Sequence, residues 1–258
     1  LITYNKETRE VMANSKILHS GFTRHIIKFD EVYYENESIE LTKFEYLYME
    51  MAKECSINIP NIILYADAGL HHLIIERFDR NRYDNKKHIA TASALLHKDI
   101  SIPLAVSYEE LFTLTNIICN KQSSVKELFK RMVFNTLSFN VDDHAKNFSF
   151  MMDRNGEWDI TPAYDITYSY GMVKEHLCTI KGKRKAFILQ DYLDIAEKNL
   201  IKKNEAIKLI EQIVSVLEEL EQKAKDIGIS NDAIQECVSH VNPQLLEIKQ
   251  ELPSAEFN

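Results

Sequence analysis

The sequence has no uninterrupted apolar run near the ~18 residues that a membrane-spanning helix needs. Charged residues follow Leu1 within the first ten positions, which is not the pattern of a signal peptide. Acidic residues outnumber basic ones by 39 to 31, and the net charge of −8 argues against a broad nucleic-acid-binding surface. The densest basic stretch, at 181–185, is interpreted as a solvated turn. We therefore expect a soluble, globular, cytoplasmic protein.

Cysteine is also sparse, and its four positions form no CxxC pair. A zinc site is therefore not expected. Two of the four, Cys55 and Cys119, fall on the apolar stripes of predicted helices. We interpret all four thiols, which include Cys178 and Cys237, as reduced.

The first 80 residues differ in pattern from the rest of the chain. They contain short β-branched and apolar runs that predict strands, and one helical stripe of apolar residues over 41–55. The predicted strands lie at 1–4, 25–29, 62–65 and 72–76. The acidic stretch 30–40 is interpreted as a connector. The polar cluster 79–87 predicts a division into a β-rich unit, 1–80, and a mainly helical unit, 81–258.

The second unit shows helix-start and hairpin signals. Ser107 with Glu110, and Ser124 with Glu127, fit the capping-box pattern at a helix N-terminus. Apolar runs at 148–152 and 158–160 flank an Asn-Gly pair, which predicts a hairpin. The last 60 residues are predicted to be helical. One apolar stripe there runs from 207 to 224, and Gly228 is its expected stop.

The most informative stretch is the acidic and polar run at 140–147. Asp142 and Asn147 are five residues apart, and Asp165 follows after the predicted hairpin. Phosphoryl transfer uses a carboxylate to orient and deprotonate the attacking hydroxyl, and an Asn and a second carboxylate to hold magnesium ions. Kinases carry these groups in the order D-x-x-x-x-N and then Asp. The run therefore predicts Asp142 as the base and Asn147 and Asp165 as metal ligands.

Upstream residues fit the same chemistry. Lys28 lies in a predicted strand, and Glu45 lies near the first turn of the helix that follows. A strand Lys paired with a helix Glu is how kinases hold the α- and β-phosphates of ATP. At the join of the two units, the backbone of Glu76 and Phe78 is predicted to contact adenine, with the Phe78 ring nearby.

With these features in order, the chain resembles the HipA family of kinases. The resemblance rests on five segments that span the chain to about residue 170, "HIIKF" (25–29), "FEYLYMEMAKECSINIP" (44–60), "ERFDR" (76–80), "DDHAKNFSF" (142–150) and "TPAYDI" (161–166). It implies an α+β, protein-kinase-like fold with a small β-rich N-lobe and a helical C-lobe. It also implies phosphorylation of protein seryl or threonyl hydroxyls with Mg-ATP.

The resemblance implies partners and further site residues. Family members are often toxins that phosphorylate aminoacyl-tRNA synthetases, inhibit translation and pair with a DNA-binding HipB-type antitoxin. By position, Lys146 contacts either the γ-phosphate or the loop backbone. His144 is expected to hydrogen-bond within the loop, and Asp143 to be a loop residue or an acceptor supporting it.

The sequence departs from the family pattern in two respects. No glycine-rich phosphate loop precedes Lys28, where only Gly21 is present, so we expect that loop upstream of Leu1. The N-terminal subdomain of long HipA proteins is also missing, as in short, HipT-like forms. A separate protein resembling that subdomain is therefore a possible partner.

Three alternatives stay open at this point. Asp142, Asp143 and His144 could be ligands of a metal-dependent hydrolase, although the other histidines show no ligand-like spacing. The chain could instead be a catalytically weak binding module for an antitoxin, as the missing glycine loop suggests. It could also be a small-molecule kinase, since such enzymes share the base and metal residues.

Overall fold

The computed structural model describes residues 1–13, 17–30, 40–81, 83–98, 106–169 and 174–253. The predicted connector at 31–39 lies outside them. Five antiparallel strands form an N-terminal sheet of order β2-β1-β3-β5-β4. These strands are β1 (Ile2–Asn5), β2 (Val11–Ala13), β3 (Phe22–Lys28), β4 (Ile62–Asp67) and β5 (Leu70–Glu76). The predicted strands are confirmed, each within a few residues.

Helix α1 (Leu41–Glu54) covers the sheet and contacts β4 and β5. Its apolar stripe places Phe44, Tyr48 and Ala52 against the core, where each is at most 1% exposed. This confirms the helical spacing in the sequence. The helix packs beside β5, and its buried Glu45 contacts Lys28 at the C-terminal end of β3.

The rest of the described chain is mainly helical, with one small sheet of order β6-β7-β8. The strands are β6 (His88–Thr91), β7 (Ser149–Met152) and β8 (Trp158–Ile160), and the last two form the predicted hairpin. The helices are α2 (Ala92–Leu95), α3 (Tyr108–Cys119), α4 (Gln122–Leu137), α5 (Leu189–Lys198), α6 (Lys203–Leu217), α7 (Leu220–Asp226) and α8 (Asn231–Glu251). One apolar core runs from α1 and β5 through these helices.

Two helix predictions need correction. Ser107 and Glu110 form the expected capping box of α3, but Ser124 does not cap α4, which begins at Gln122. Ser124 instead donates to Asp159, and Glu127 accepts from the Asn58 backbone. Both side chains are occupied by tertiary hydrogen bonds, and these outweigh the local capping pattern.

The C-terminal stripe is not one helix. It breaks between α6 and α7, and the turn allows α7 to contact both α1 and α8, with Leu220 and Ala224 buried. Gly228 follows α7 with φ of 72°, in the left-handed region that favours glycine. No helix within the described ranges has the length and apolar content to cross a bilayer.

Candidate active site

The candidate site is centred on Lys28, at the end of β3. Its Nζ atom lies 2.7 and 2.9 Å from the two carboxylate oxygens of Glu45 and 2.5 Å from Oδ1 of Asp165. The structure therefore brings together three residues that the sequence scatters over 137 positions. The strand–helix pair expected from the sequence is formed, and the acid that follows the hairpin joins it.

The environment of this cluster shifts two pKa values. Burial alone would lower the pKa of the Lys28 ammonium, but the charges of Glu45 and Asp165 outweigh it and the pKa is raised. Burial raises the pKa of Glu45 despite the opposing charge of Lys28. Glu45 has only 8% of its side chain exposed. Its negative charge therefore depends on the contact with Lys28.

Asp142 and Asn147 lie in the loop between α4 and β7. The Asn147 side-chain amide donates to the Asp142 carbonyl at 2.9 Å, which closes the loop. Burial raises the pKa of the Asp142 carboxyl, and the charges of Asp143 and Asp165 add to the increase, while His144 opposes it. Asp142 thus shares one electrostatic environment with Asp165. A carboxylate with a raised pKa is better suited to accept a proton than an ordinary one.

Asp165 follows β8 and has an unusual backbone conformation. Its φ is 51°, in the left-handed region that non-glycine residues enter rarely and that Asp tolerates better than most. The preceding Tyr164 donates to the Lys146 carbonyl at 2.7 Å and also contacts the Ser149 hydroxyl. The hairpin therefore returns the chain to the loop that holds Asp142, as the sequence predicted.

The remaining loop residues occupy distinct places. Asp143 is buried, and its carboxylate accepts from the Tyr108 hydroxyl at 2.9 Å. His144 lies with Nε2 3.8 Å from Asp142 Oδ1, and its buried Nδ1 has no hydrogen-bond partner among the described residues. The side chain of Lys146 is exposed, and its backbone carbonyl accepts from Tyr164.

The join of the two parts of the chain follows β5. Glu76 donates its N–H to the Asn61 carbonyl at 2.8 Å, and its carboxylate accepts from the Asn61 amide at 2.5 Å. The Phe78 ring stacks on Tyr164, with ring centroids 5.8 Å apart. Phe78 is thereby fixed beside the residue that precedes Asp165.

Two residues beside this cluster, Ile26 and Tyr164, have no role that the sequence motifs predict. Ile26 lies two residues before Lys28 on β3, so it shares the same face of the strand, and it is 41% exposed. Its partner across the sheet is Ile75 of β5. Strand alternation could have identified Ile26, whereas the stacking of Phe78 on Tyr164 is a long-range contact that no local pattern shows.

The donor set fits magnesium better than a soft metal. Asn147 and Asp165 line one small cavity and offer oxygen atoms, which Mg²⁺ prefers while it keeps several waters. No group of three or more His, Cys, Asp or Glu side chains that could hold a metal lies in the described part of the chain. The alternative of a metal-dependent hydrolase needs such a group.

The sequence and the fold of this chain are both similar to those of known proteins. The chain is 27% identical over 162 residues to the serine/threonine-protein kinase toxin HipA of Shewanella oneidensis, a match covering 55% of this chain and 36% of that protein. Its fold matches a chain of the Shewanella oneidensis complex of HipA, HipB and operator DNA with a TM-score of 0.71 at 18% identity. That match covers 97% of this chain and 62% of the other.

A second solved structure, the Helicobacter pylori proinflammatory kinase CtkA, matches with a TM-score of 0.53 at 12% identity, over 88% of each chain. The two structural matches confirm the expected α+β, kinase-like fold. The family of HipA-like C-terminal domains matches residues 5–221. The chain thus belongs to the HipA-like C-terminal domain family, and it spans little more than a third of the curated HipA relative.

Proposed function

We propose that this chain is an ATP- and magnesium-dependent kinase that transfers the γ-phosphate to a seryl or threonyl hydroxyl of a protein. The observation that carries the proposal is the contact of Lys28 with both Glu45 and Asp165, beside the loop that holds Asp142 and Asn147. This is the arrangement that phosphoryl transfer requires. The kinase names of the HipA and CtkA proteins support it.

In this proposal ATP binds between the units 1–80 and 81–258. Lys28, held by Glu45, contacts the α- and β-phosphates. Ile26 lies over the adenine, and the backbone of Glu76 and Phe78 meets its edge. Lys146 is exposed on the loop and is available to the γ-phosphate.

The transfer step is assigned to Asp142. Its carboxylate orients the acceptor hydroxyl and takes its proton as the oxygen attacks the γ-phosphorus and the bond to the β-phosphate oxygen breaks. Asn147 and Asp165 would hold magnesium, which neutralises charge on the phosphates when bound. Lys28 contacts Asp165 at 2.5 Å and so fixes the position of this metal ligand.

The partners follow from the family. The Shewanella oneidensis HipA was solved with HipB and operator DNA, so we propose a HipB-type antitoxin as a partner here, with DNA reached only through it. We propose an aminoacyl-tRNA synthetase as the protein substrate. Its phosphorylation would inhibit translation in the cytoplasm. A separate protein resembling the HipA N-terminal subdomain completes the proposed assembly.

The test is calorimetric titration of the chain with ATP, with and without magnesium, beside Asp165→Asn. We expect magnesium-dependent binding that the substitution weakens. Binding that is indifferent to magnesium and to the substitution would contradict the proposal. Binding without transfer to any hydroxyl acceptor would favour the non-catalytic binding module.

A further inference from the structure

Asp143 is the most completely hydrogen-bonded carboxylate of the catalytic loop. Its side chain is 0% exposed. Oδ1 accepts from the backbone N–H groups of Leu177 and Cys178 at 2.9 and 3.0 Å. Oδ2 accepts from the Tyr108 hydroxyl at 2.9 Å and lies 3.0 Å from Nδ1 of His176. Four donors occupy the four lone-pair sites of the carboxylate, so it is fully satisfied.

Three of these donors belong to one segment, His176 to Cys178, which lies downstream of the metal ligand Asp165. The segment makes two further contacts with the loop. The same Leu177 N–H is shared with the Val141 carbonyl at 3.1 Å, and the Cys178 thiol donates to the Asp143 carbonyl at 2.8 Å. The backbone of this segment is therefore joined to the loop on both sides of Asp142.

The fourth donor connects Asp143 to the helical core. The Tyr108 hydroxyl also accepts from the Asn135 side-chain amide at 3.1 Å, and Oδ1 of Asn135 accepts from the Asn140 side-chain amide at 3.0 Å. Tyr108 is 0% exposed at the start of α3, and Asn135 lies in α4. The start of the loop at Asn140 is thus linked to Asp143 through two rigid helices.

Asp142 itself is held differently. His144 Nε2 lies 3.8 Å from Oδ1 of its carboxylate, which is beyond hydrogen-bond reach. The Asp142 backbone N–H lies 3.3 Å from the Ser169 hydroxyl, which also accepts from Val141 at 3.0 Å. The position of the carboxylate therefore depends on the backbone, and the backbone depends on Ser169 and Asp143.

We infer that Asp143 is a positioning residue that couples docking of the 176–178 segment to the placement of Asp142. This inference rests on the proposed kinase function and adds a means of regulation to it. While the segment is docked, Asp143 anchors the loop and Asp142 meets the acceptor hydroxyl. When the segment is displaced, the carboxylate loses three donors and the rate of transfer falls, while the ATP contacts of Lys28 stay in place.

The first test is Asp143→Asn, which keeps the size of the side chain but turns one acceptor atom into a donor that faces other donors. We expect kcat to fall by about 100-fold, the size typical of a misplacement near 1 Å, with the KM for ATP unchanged. The matched control is Asp191→Asn. Asp191 is also buried, 1% exposed, and accepts from Lys183 and the Ile188 N–H at the start of α5. Its kcat should stay within a factor of two of wild type.

The second test does not depend on activity. Hydrogen exchange should show loss of protection at the Cys178 amide in Asp143→Ala, which removes its acceptor, and retention in Asp142→Asn. Tyr108→Phe removes one donor without disturbing the backbone, and it serves if Asp143→Asn fails to fold. In that variant we expect kcat to fall by about 10-fold, as one hydrogen bond to a charged group is lost, with unchanged KM.

The outcomes separate the two proposals. Absence of magnesium-dependent ATP binding by the wild-type chain overturns the kinase function and this inference with it. Wild-type transfer with kcat unchanged in Asp143→Asn and in Tyr108→Phe overturns the positioning role alone. A fall in kcat equal to that of Asp191→Asn would also overturn it, since it would reflect only the loss of a buried charge.

Discussion

The ammonium nitrogen of Lys28 lies 2.5 Å from the carboxylate of Asp165, although 137 residues separate them in the sequence. This contact joins the N-terminal sheet to the chain that returns from the β7–β8 hairpin. Glu45 completes the cluster from α1 at 2.7 Å. The contact couples Lys28, which is assigned to the phosphates, with Asp165, which is assigned to magnesium. A substitution at either residue should therefore affect binding of both the nucleotide and the metal.

Lys28→Met is expected to weaken ATP binding by at least 10-fold, because it removes the cation assigned to the phosphates. It also leaves Glu45 buried without its partner, which should lower the free energy of unfolding by about 1–3 kcal/mol. Calorimetry measures the first effect and urea unfolding the second. Unchanged ATP affinity would show that Lys28 does not contact the nucleotide.

The control for the stability effect is the double variant Lys28→Met/Glu45→Gln. Neutral Gln has no charge to leave unpaired in the buried position of Glu45, so stability should partly recover while ATP affinity stays low. A double variant no more stable than Lys28→Met would mean that packing, rather than the unpaired charge, caused the loss.

Asp165→Asn is expected to reduce magnesium-dependent ATP binding and to abolish transfer. Asn tolerates the left-handed backbone at φ of 51°, so the fold should be retained. Circular dichroism checks the fold, and titration with ATP at several magnesium concentrations checks the site. If the variant binds Mg-ATP as the wild type does, Asp165 is not a metal ligand. Asp226→Asn, on the exposed end of α7, is the control.

Protonation of Asp142 should cause the loss of kcat/KM on the acid side of the pH profile. A general base acts in its deprotonated form, and burial raises the pKa of Asp142 above that of an ordinary aspartate. We therefore expect kcat/KM to fall on acidification at a pH above about 4, the usual value for Asp. Asp142→Asn should remove transfer while ATP binding stays. A variant that keeps its activity would shift the role of base to another residue, with Asp143 the first to test.

The charge of His144 provides a second test of the same assignment. A positive imidazole near Asp142 lowers the pKa of that carboxyl. His144→Gln should therefore move the acid limb of kcat/KM to higher pH. His19→Gln, on an exposed turn before β3, should leave the limb unchanged. A shift to lower pH in His144→Gln would contradict the assignment of Asp142 as the titrating group.

Much of the fold was predictable from the sequence because its signals are local. The apolar stripe of α1, the strand at Lys28 and the Asn-Gly hairpin each depend on residues within one element. Ser124 failed as a cap because Asp159, 35 residues away, accepts from its hydroxyl. The break after Leu217 also depends on distant contacts of α7. Long-range contacts of this kind leave no local pattern.

The site was predictable in its order but not in its connections. The spacing of Asp142, Asn147 and Asp165 follows from the chemistry, and their roles stay predictions. The anchoring of Asp143 could not be read from the sequence, because its donors are Tyr108 and a segment more than 30 residues downstream. His176 also lies beside this carboxylate, and no motif in the sequence indicates that contact.

Arg131 and Glu127 form a buried ion pair that connects the two parts of the fold. The side chains are 3% and 10% exposed, and the Arg131 guanidinium also donates to the Thr161 carbonyl at 2.6 Å. Glu127 accepts from the Asn58 N–H at 2.9 Å. The pair therefore holds two segments against α4: the chain after α1, through Asn58, and the chain before Asp165, through Thr161.

Arg131→Met is expected to lower the free energy of unfolding by about 1–3 kcal/mol, because Glu127 loses its more buried partner and keeps only Lys130, 2.6 Å from its other oxygen. Arg131→Met/Glu127→Leu should lose less than the single variant, since the buried carboxylate is removed and Lys130 keeps its contact with the Ser56 carbonyl. Urea unfolding followed by circular dichroism measures both. The control is Lys225→Met, whose exposed pair with Glu221 has the same spacing of four residues and should contribute less than about 1 kcal/mol. If the loss in the double variant equals the sum of the losses in Arg131→Met and Glu127→Leu, the two residues stabilise the fold independently, each through its own backbone contact.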